Sequence, residues 1–160
     1  MGKRLNFWPL AGFLTVSVLG TLAHFAYEWS GKQLLAGAFC AVNESTWEHM
    51  KLLFFPALLF TMIQIAAARE RDGAIPAVRA VSITAGLLLI PVLYYTYTGI
   101  LGRHVLWADI AIFYLAAALT FRLDSCLRRR RRLWEPWQPA AGLLWLWGLA
   151  CLFVWWTFRP

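Results

Sequence analysis

The apolar residues of this chain fall into five blocks close to twenty residues long, at positions 9–27, 45–68, 77–97, 104–121 and 139–158. A helix rises ~1.5 Å per residue, so about 20 residues carry it across the ~30 Å of hydrocarbon in a bilayer. A chain of 160 residues has too little polar surface to hide five such blocks from water, with 61% of its residues hydrophobic and 14% charged. Soluble domains carry roughly 45–50% apolar and about 25% charged residues. The expectation is an all-α, polytopic membrane bundle of about five transmembrane helices, forming a single transmembrane domain over residues 1–160.

Lys3 and Arg4 precede the first block as the basic flank of a signal peptide would. The apolar stretch at 7–27 is long for a cleaved signal, and no convincing A-x-A cleavage site follows it, so it is read as a retained span. Glu28-Trp29-Ser30-Gly31-Lys32 closes it with charge, an interfacial aromatic and a helix-stopping glycine. Residues 33–42 are apolar but only ten long, which fits a short interfacial or re-entrant segment. Pro56 lies inside the second span, where it is expected to kink the helix. Gly12, Gly20, Ala23, Ala116, Ala117 and Ala118 offer small surfaces for close helix approach.

Orientation follows from the basic residues. With the N-terminus cytoplasmic, Lys3, Arg4, Arg69, Arg71, Arg79, Arg122 and Arg128 to Arg132 lie inside, leaving Lys32, Lys51, Arg103 and Arg159 outside. The positive-inside rule selects this arrangement, which makes the C-terminus extracytoplasmic. Trp8, Trp29, Trp107, Trp134 and Trp137 fall near span ends, where an aromatic belt belongs. The net charge of +7 and the run Arg128 to Arg132 would suggest nucleic acid in a soluble protein. Directly beside a span they read as a topology signal in contact with anionic membrane lipid, and nucleic acid is excluded as a partner. Cys40, Cys126 and Cys151 show no C-x-x-C spacing and are expected to be apolar, buried and inert.

This topology sends His24, Glu28, Glu44, Glu48, His49, His104 and Asp109 to the extracytoplasmic side. The other acids, Glu70, Asp72, Asp124 and Glu135, are read as solvated charge balance among cytoplasmic arginines. A charge at mid-bilayer costs roughly 2.5–3.5 kcal/mol, so ionisable residues in spans usually face a partner or a wet cavity. His24 and Glu28 are four apart and share a helix face, as do Ser45 and His49. His104 and Asp109 are five apart and can serve one site only where the helix end is irregular. Ser45-Thr46-Trp47-Glu48 also has the capping-box pattern, which accounts for Ser45 and Glu48 by helix initiation but not for His49.

Imidazoles with carboxylates suit a divalent metal such as zinc, and three protein ligands with one open position make a hydrolytic or binding centre. The candidate ligands are His24, His49, His104 and Glu44; Glu28, Glu48 and Ser45 are the candidate catalytic groups, with Tyr94 and Asp109 lining the pocket. Five spans without a repeat speak against a monomeric carrier and leave an oligomer open.

His24 to Gly31, Val42 to Lys51 and the pair Phe55-Pro56 resemble a family of small bacterial integral membrane proteins of unknown function. That resemblance implies a bacterial plasma membrane and supplies no activity. The Ser45 and His49 spacing is similar to that of the alkaline ceramidase and progestin/adiponectin receptor superfamily, where a serine lies four residues before a zinc-binding histidine. Those proteins have seven spans and a late H-x-x-x-H pair, and this chain has neither. The resulting expectation is a metal-dependent enzyme or binding protein for a lipid or small molecule. The alternative is a non-enzymatic protein in which the polar cluster orients helices, binds a partner or conducts ions or protons.

Overall fold

The chain, described from a computed structural model over residues 7–68, 74–129 and 137–159, is built from six helices. These are α1 (Phe7–Trp29), α2 (Leu34–Phe39), α3 (Thr46–Ala68), α4 (Ile75–Leu101), α5 (Leu106–Arg128) and α6 (Gln138–Thr157). All but α2 are long and apolar enough to cross a membrane. The six-residue α2 is the short segment expected after the first span.

Local chemistry sets the ends. After α1, Gly31 and Lys32 adopt positive φ and the Lys32 amide returns to the Tyr27 carbonyl at 3.0 Å, closing the helix. Gly102 stops α4 in the left-handed region, its amide bonded to the Thr98 carbonyl. Pro76 occupies the first turn of α4, where a missing N–H costs nothing.

The helices α3 and α4 form the middle of the bundle. Helix α4 packs on α3, α5 and α6, and α1 packs on α3 and α5. Val16, Leu53, Phe54, Ile83, Ala116 and Leu146 are buried where these helices meet. The outside is apolar as well. Leu10, Leu14, Val18, Leu22 and Phe25 form an exposed stripe at i+4 and i+3 spacing along α1, the surface a hydrocarbon solvent requires.

Small residues govern how closely the helices approach. Pro56 has no N–H to give the Leu52 carbonyl, and Gly20 of α1 packs over that carbonyl, which would lie 2.6 Å from a Cβ at position 20. Helix α3 continues through Pro56 without interruption. Gly142 of α6 lies directly on the α4 backbone, where a Cβ would sit 2.7 Å from Ala77 Cα. Gly148, two turns on, faces open space. Gly142→Ala should therefore cost about 1–3 kcal/mol by overpacking, while Gly148→Ala should be neutral or stabilise by up to ~1 kcal/mol through helix propensity. Melting midpoints of the two variants in one detergent check this, and equal midpoints would remove backbone contact as the basis of α4–α6 packing.

Two polar clusters are buried, one of them built around Asp124, against the expectation of solvated charge balance there. Asp124 is not loop charge. Helix α5 runs seven residues past the expected span end at Phe121, and Asp124 on its inner face is 1% exposed. Around it lie Arg79, with Nε 3.5 Å from Asp124 Oδ1, and Arg128, whose Nε donates to both carboxylate oxygens at 3.0 Å. Gln64 Oε1 accepts from both guanidinium groups. Arg79 also stacks over Phe121 at 4.7 Å and Phe60 at 5.4 Å. At the opposite end Lys51, also 0% exposed, sits 2.7 Å from Glu48. Its Nζ donates to the Gly37 carbonyl of α2 and to Thr157 of α6. The starts of α3 and α5 thus meet the finishes of α1, α4 and α6 at a histidine end; the reverse set forms an arginine end. Glu70, Asp72, Glu135, Trp134, Lys3, Arg4, Arg69, Arg71 and Arg130 to Arg132 lie outside the described residues.

Of the cysteines, Cys126 and Cys151 are exposed on the apolar surface, a departure from the expected burial, and Cys40 is half-buried. Burial pushes the Cys40 thiol above its ordinary pKa, with the Lys51 ammonium pulling it the other way.

Candidate metal centre

At the histidine end, His24 arrives from the last turns of α1 and His49 from the first turn of α3, with Glu44 from the loop before α3 between them. Among the described residues these three bring one ligand atom each to within 4.8 Å of one another. His24 Nε2 is 3.7 Å from Glu44 Oε1, and His49 Nε2 is 3.4 Å from Glu44 Oε2. The two imidazole rings lie 5.4 Å apart. Two donors bound to one tetrahedral ion at ~2.0–2.1 Å stand ~3.4 Å apart, so these separations match a shared ion more closely than a direct hydrogen bond.

The local fold explains the convergence. Ser45 caps α3, its Oγ accepting the Glu48 amide at 3.3 Å, so His49 occupies the first helical turn. His49 Nδ1 is 2.9 Å from the Ser45 carbonyl, which can only accept. The Nδ1 proton is spent there, leaving the Nε2 lone pair directed at the Glu44 carboxylate. A lone pair and a carboxylate oxygen held 3.4 Å apart repel each other unless a proton, a bridging water or a metal ion lies between them. Both histidine side chains are about 30% exposed and Glu44 is 81% exposed, so the site opens at the end of the bundle.

The remaining candidate residues go elsewhere. His104 precedes α5 and lies with Nδ1 3.6 Å from Asp109 Oδ2, outside the His24, Glu44 and His49 trio. The non-helical segment before Leu106 is what lets residues five apart meet. Tyr97 donates to Asp109 Oδ1 and accepts the Val105 amide at 3.1 Å, fastening the end of α4 to the start of α5. Tyr94 packs edge-on against Tyr95 and Tyr97. Glu28 pairs with Lys32 at 3.5 Å on the exposed side of α1.

Glu48 completes only half of a capping box. Its amide is capped by Ser45, but Asn43 rather than Glu48 accepts the Ser45 amide. The Glu48 carboxylate turns inward to the Val42 amide at 2.9 Å and to Lys51. Sequence reasoning missed Lys51 and Arg79 as buried partners. The available signal was their position inside an apolar span, with Glu48 one turn before Lys51; the partners of Arg79 lie on other helices and left no local mark.

The chain matches, over residues 2–160, the model of DUF6512, a family of unknown function, and it belongs to that family. No curated protein and no solved structure matches it.

Proposed function

We propose that this member of a family of unknown function is a multi-pass protein of a bacterial plasma membrane, N-terminus cytoplasmic and C-terminus extracytoplasmic, that holds a divalent metal ion at its outer face. The five spans support the membrane assignment, and the excess of basic residues at the arginine end supports the orientation. His24, His49 and Glu44 are the ligands in this reading. Zinc suits the set best, since two imidazoles and one carboxylate with an open fourth position is a known catalytic arrangement for that ion. The open position would take water or an oxygen of a lipid or small molecule at the outer leaflet. A zinc ion held there would supply Lewis acidity and would lower the pKa of a coordinated water. Glu28 and Glu48 are engaged with lysines, which leaves Glu44 as the carboxylate that faces the two imidazoles.

The observation that carries the proposal is the His49 Nε2 lone pair, fixed by the Ser45 carbonyl, facing a carboxylate 3.4 Å away. Metal analysis of the purified protein tests it. About one zinc or cobalt ion per chain is expected, with affinity reduced at least the ~10–100-fold typical of outer-shell changes in His24→Ala, His49→Ala and Glu44→Gln. Cobalt should give a tetrahedral visible spectrum that these variants lose. A wild-type chain that takes up no metal leaves a solvated imidazolium–carboxylate pair in its place.

A further inference from the structure

We propose that the groove between α1 and α5 at the arginine end seats one anionic phospholipid. The proposal rests on the membrane reading alone and is independent of the metal centre at the opposite end. The groove encloses about 530 Å³, within the ~300–1,000 Å³ range of specific small-molecule sites. Its floor is apolar, with Leu10 and Phe13 on the α1 side and Ala118 and Phe121 on α5. Its mouth carries Arg122 and Arg129, seven residues apart and so on one face of α5, two turns from each other. Neither arginine has an ion-pair partner among the described residues.

The charge around this groove is one-sided. No acid lines it among the described residues, and Asp124 is committed to Arg79 and Arg128 on the inner side of α5. Phe121 lines the groove and is itself covered by the Arg79 guanidinium, whose Nε and Nη1 have no hydrogen-bond partner among the described residues. A headgroup phosphate at the mouth is therefore bracketed by two exposed guanidiniums, with a third buried cation behind the ring. An acyl chain running from that phosphate along Leu10, Phe13 and Ala118 lies in the direction of the span. A zwitterionic headgroup would bring its own ammonium against the arginines, so the site should prefer phosphatidylglycerol to phosphatidylcholine.

Lipid titration followed by native mass spectrometry tests this, using phosphatidylglycerol and phosphatidylcholine of identical acyl chains on delipidated full-length protein. Each juxtamembrane arginine adds roughly 1 kcal/mol toward anionic lipid, so the wild type should prefer phosphatidylglycerol by about tenfold or more. Arg122→Gln/Arg129→Gln should abolish the preference. Ala118→Trp, which fills the exposed groove and keeps every charge, should weaken phosphatidylglycerol binding by a similar factor. Equal affinity for the two lipids overturns the proposal. So does a full preference retained in Ala118→Trp, which would assign the attraction to the basic surface at large, or displacement of the lipid by inorganic phosphate alone.

Discussion

Asp124→Ala should destabilise the bundle by about 3–5 kcal/mol, the penalty for removing one partner of a buried ion pair. Asp124 is the only carboxylate facing Arg79 and Arg128 among the described residues, and both it and Arg79 are excluded from solvent. Without it the buried Arg79 guanidinium keeps Gln64 Oε1 as its one acceptor among the described residues, in surroundings that include Phe60 and Phe121. Replacing the buried cation as well should restore most of the loss. Arg79→Met keeps the contact with both rings, and buried pairs are often matched by apolar residues of similar volume. The double variant Asp124→Ala/Arg79→Met is therefore expected to be more stable than Asp124→Ala alone. Equilibrium unfolding in detergent, followed by tryptophan fluorescence, measures both. The effect should be insensitive to salt, because ions do not screen a pair without solvent access. A loss below about 1 kcal/mol for Asp124→Ala, or a strong salt dependence, would show the cluster to be hydrated and the burial argument wrong.

The prediction also shows what hydropathy does and does not encode. Block length determined the five spans and the short α2, because a helix must match the thickness of hydrocarbon whatever its neighbours are. It did not determine where a helix ends. Arg122, Asp124 and Arg128 depress the local hydropathy, yet α5 continues through them, since Asp124 and Arg128 are four apart and pair along the helix. Charge counting likewise assigned Lys51 and Arg79 to opposite ends of the bundle without indicating that both are buried.

The candidate site was legible to a similar degree. The sequence indicates the depth of a residue in its span but not the direction it faces. His24, His49 and His104 all belong to one end of the bundle. Only the packing of α1 on α3 decides that His24 and His49 meet, while His104 turns to Asp109 at the α4–α5 junction. Glu44 was legible as an acid beside the cap, and its place between the imidazoles comes from the loop that leads into Ser45. The close approach at Gly142 left no periodic mark either, because a glycine on a helix interface differs from one on a lipid face only by what lies opposite.

Lys51→Met should release α2 from the bundle as well as lower its stability. The ammonium is the shared partner of the Gly37 carbonyl on α2, Glu48 on α3 and Thr157 on α6. Removing it leaves Glu48 buried with the Val42 amide and Thr157 as its remaining partners, at a cost of about 3–5 kcal/mol. Cys40, the residue that follows α2, reports whether the segment detaches, in a background with Cys126→Ala and Cys151→Ala. Two consequences of the substitution act on its thiol with opposite sign. Loss of the nearby ammonium alone would raise the thiol pKa further, reduce the thiolate fraction at neutral pH and slow alkylation. Detachment of α2 removes the burial that raises the pKa now, lowering it toward the ordinary value, increasing the thiolate fraction and opening access. Alkylation of Cys40 is thus expected to be about tenfold or more faster in Lys51→Met, since local opening exposes groups the folded state protects. Rescue by Glu48→Gln in the same chain should return stability but not protection, because the Gly37 tie stays broken. A slower alkylation in Lys51→Met would mean that α2 is held by its apolar contacts and that Lys51 acts on it only through charge.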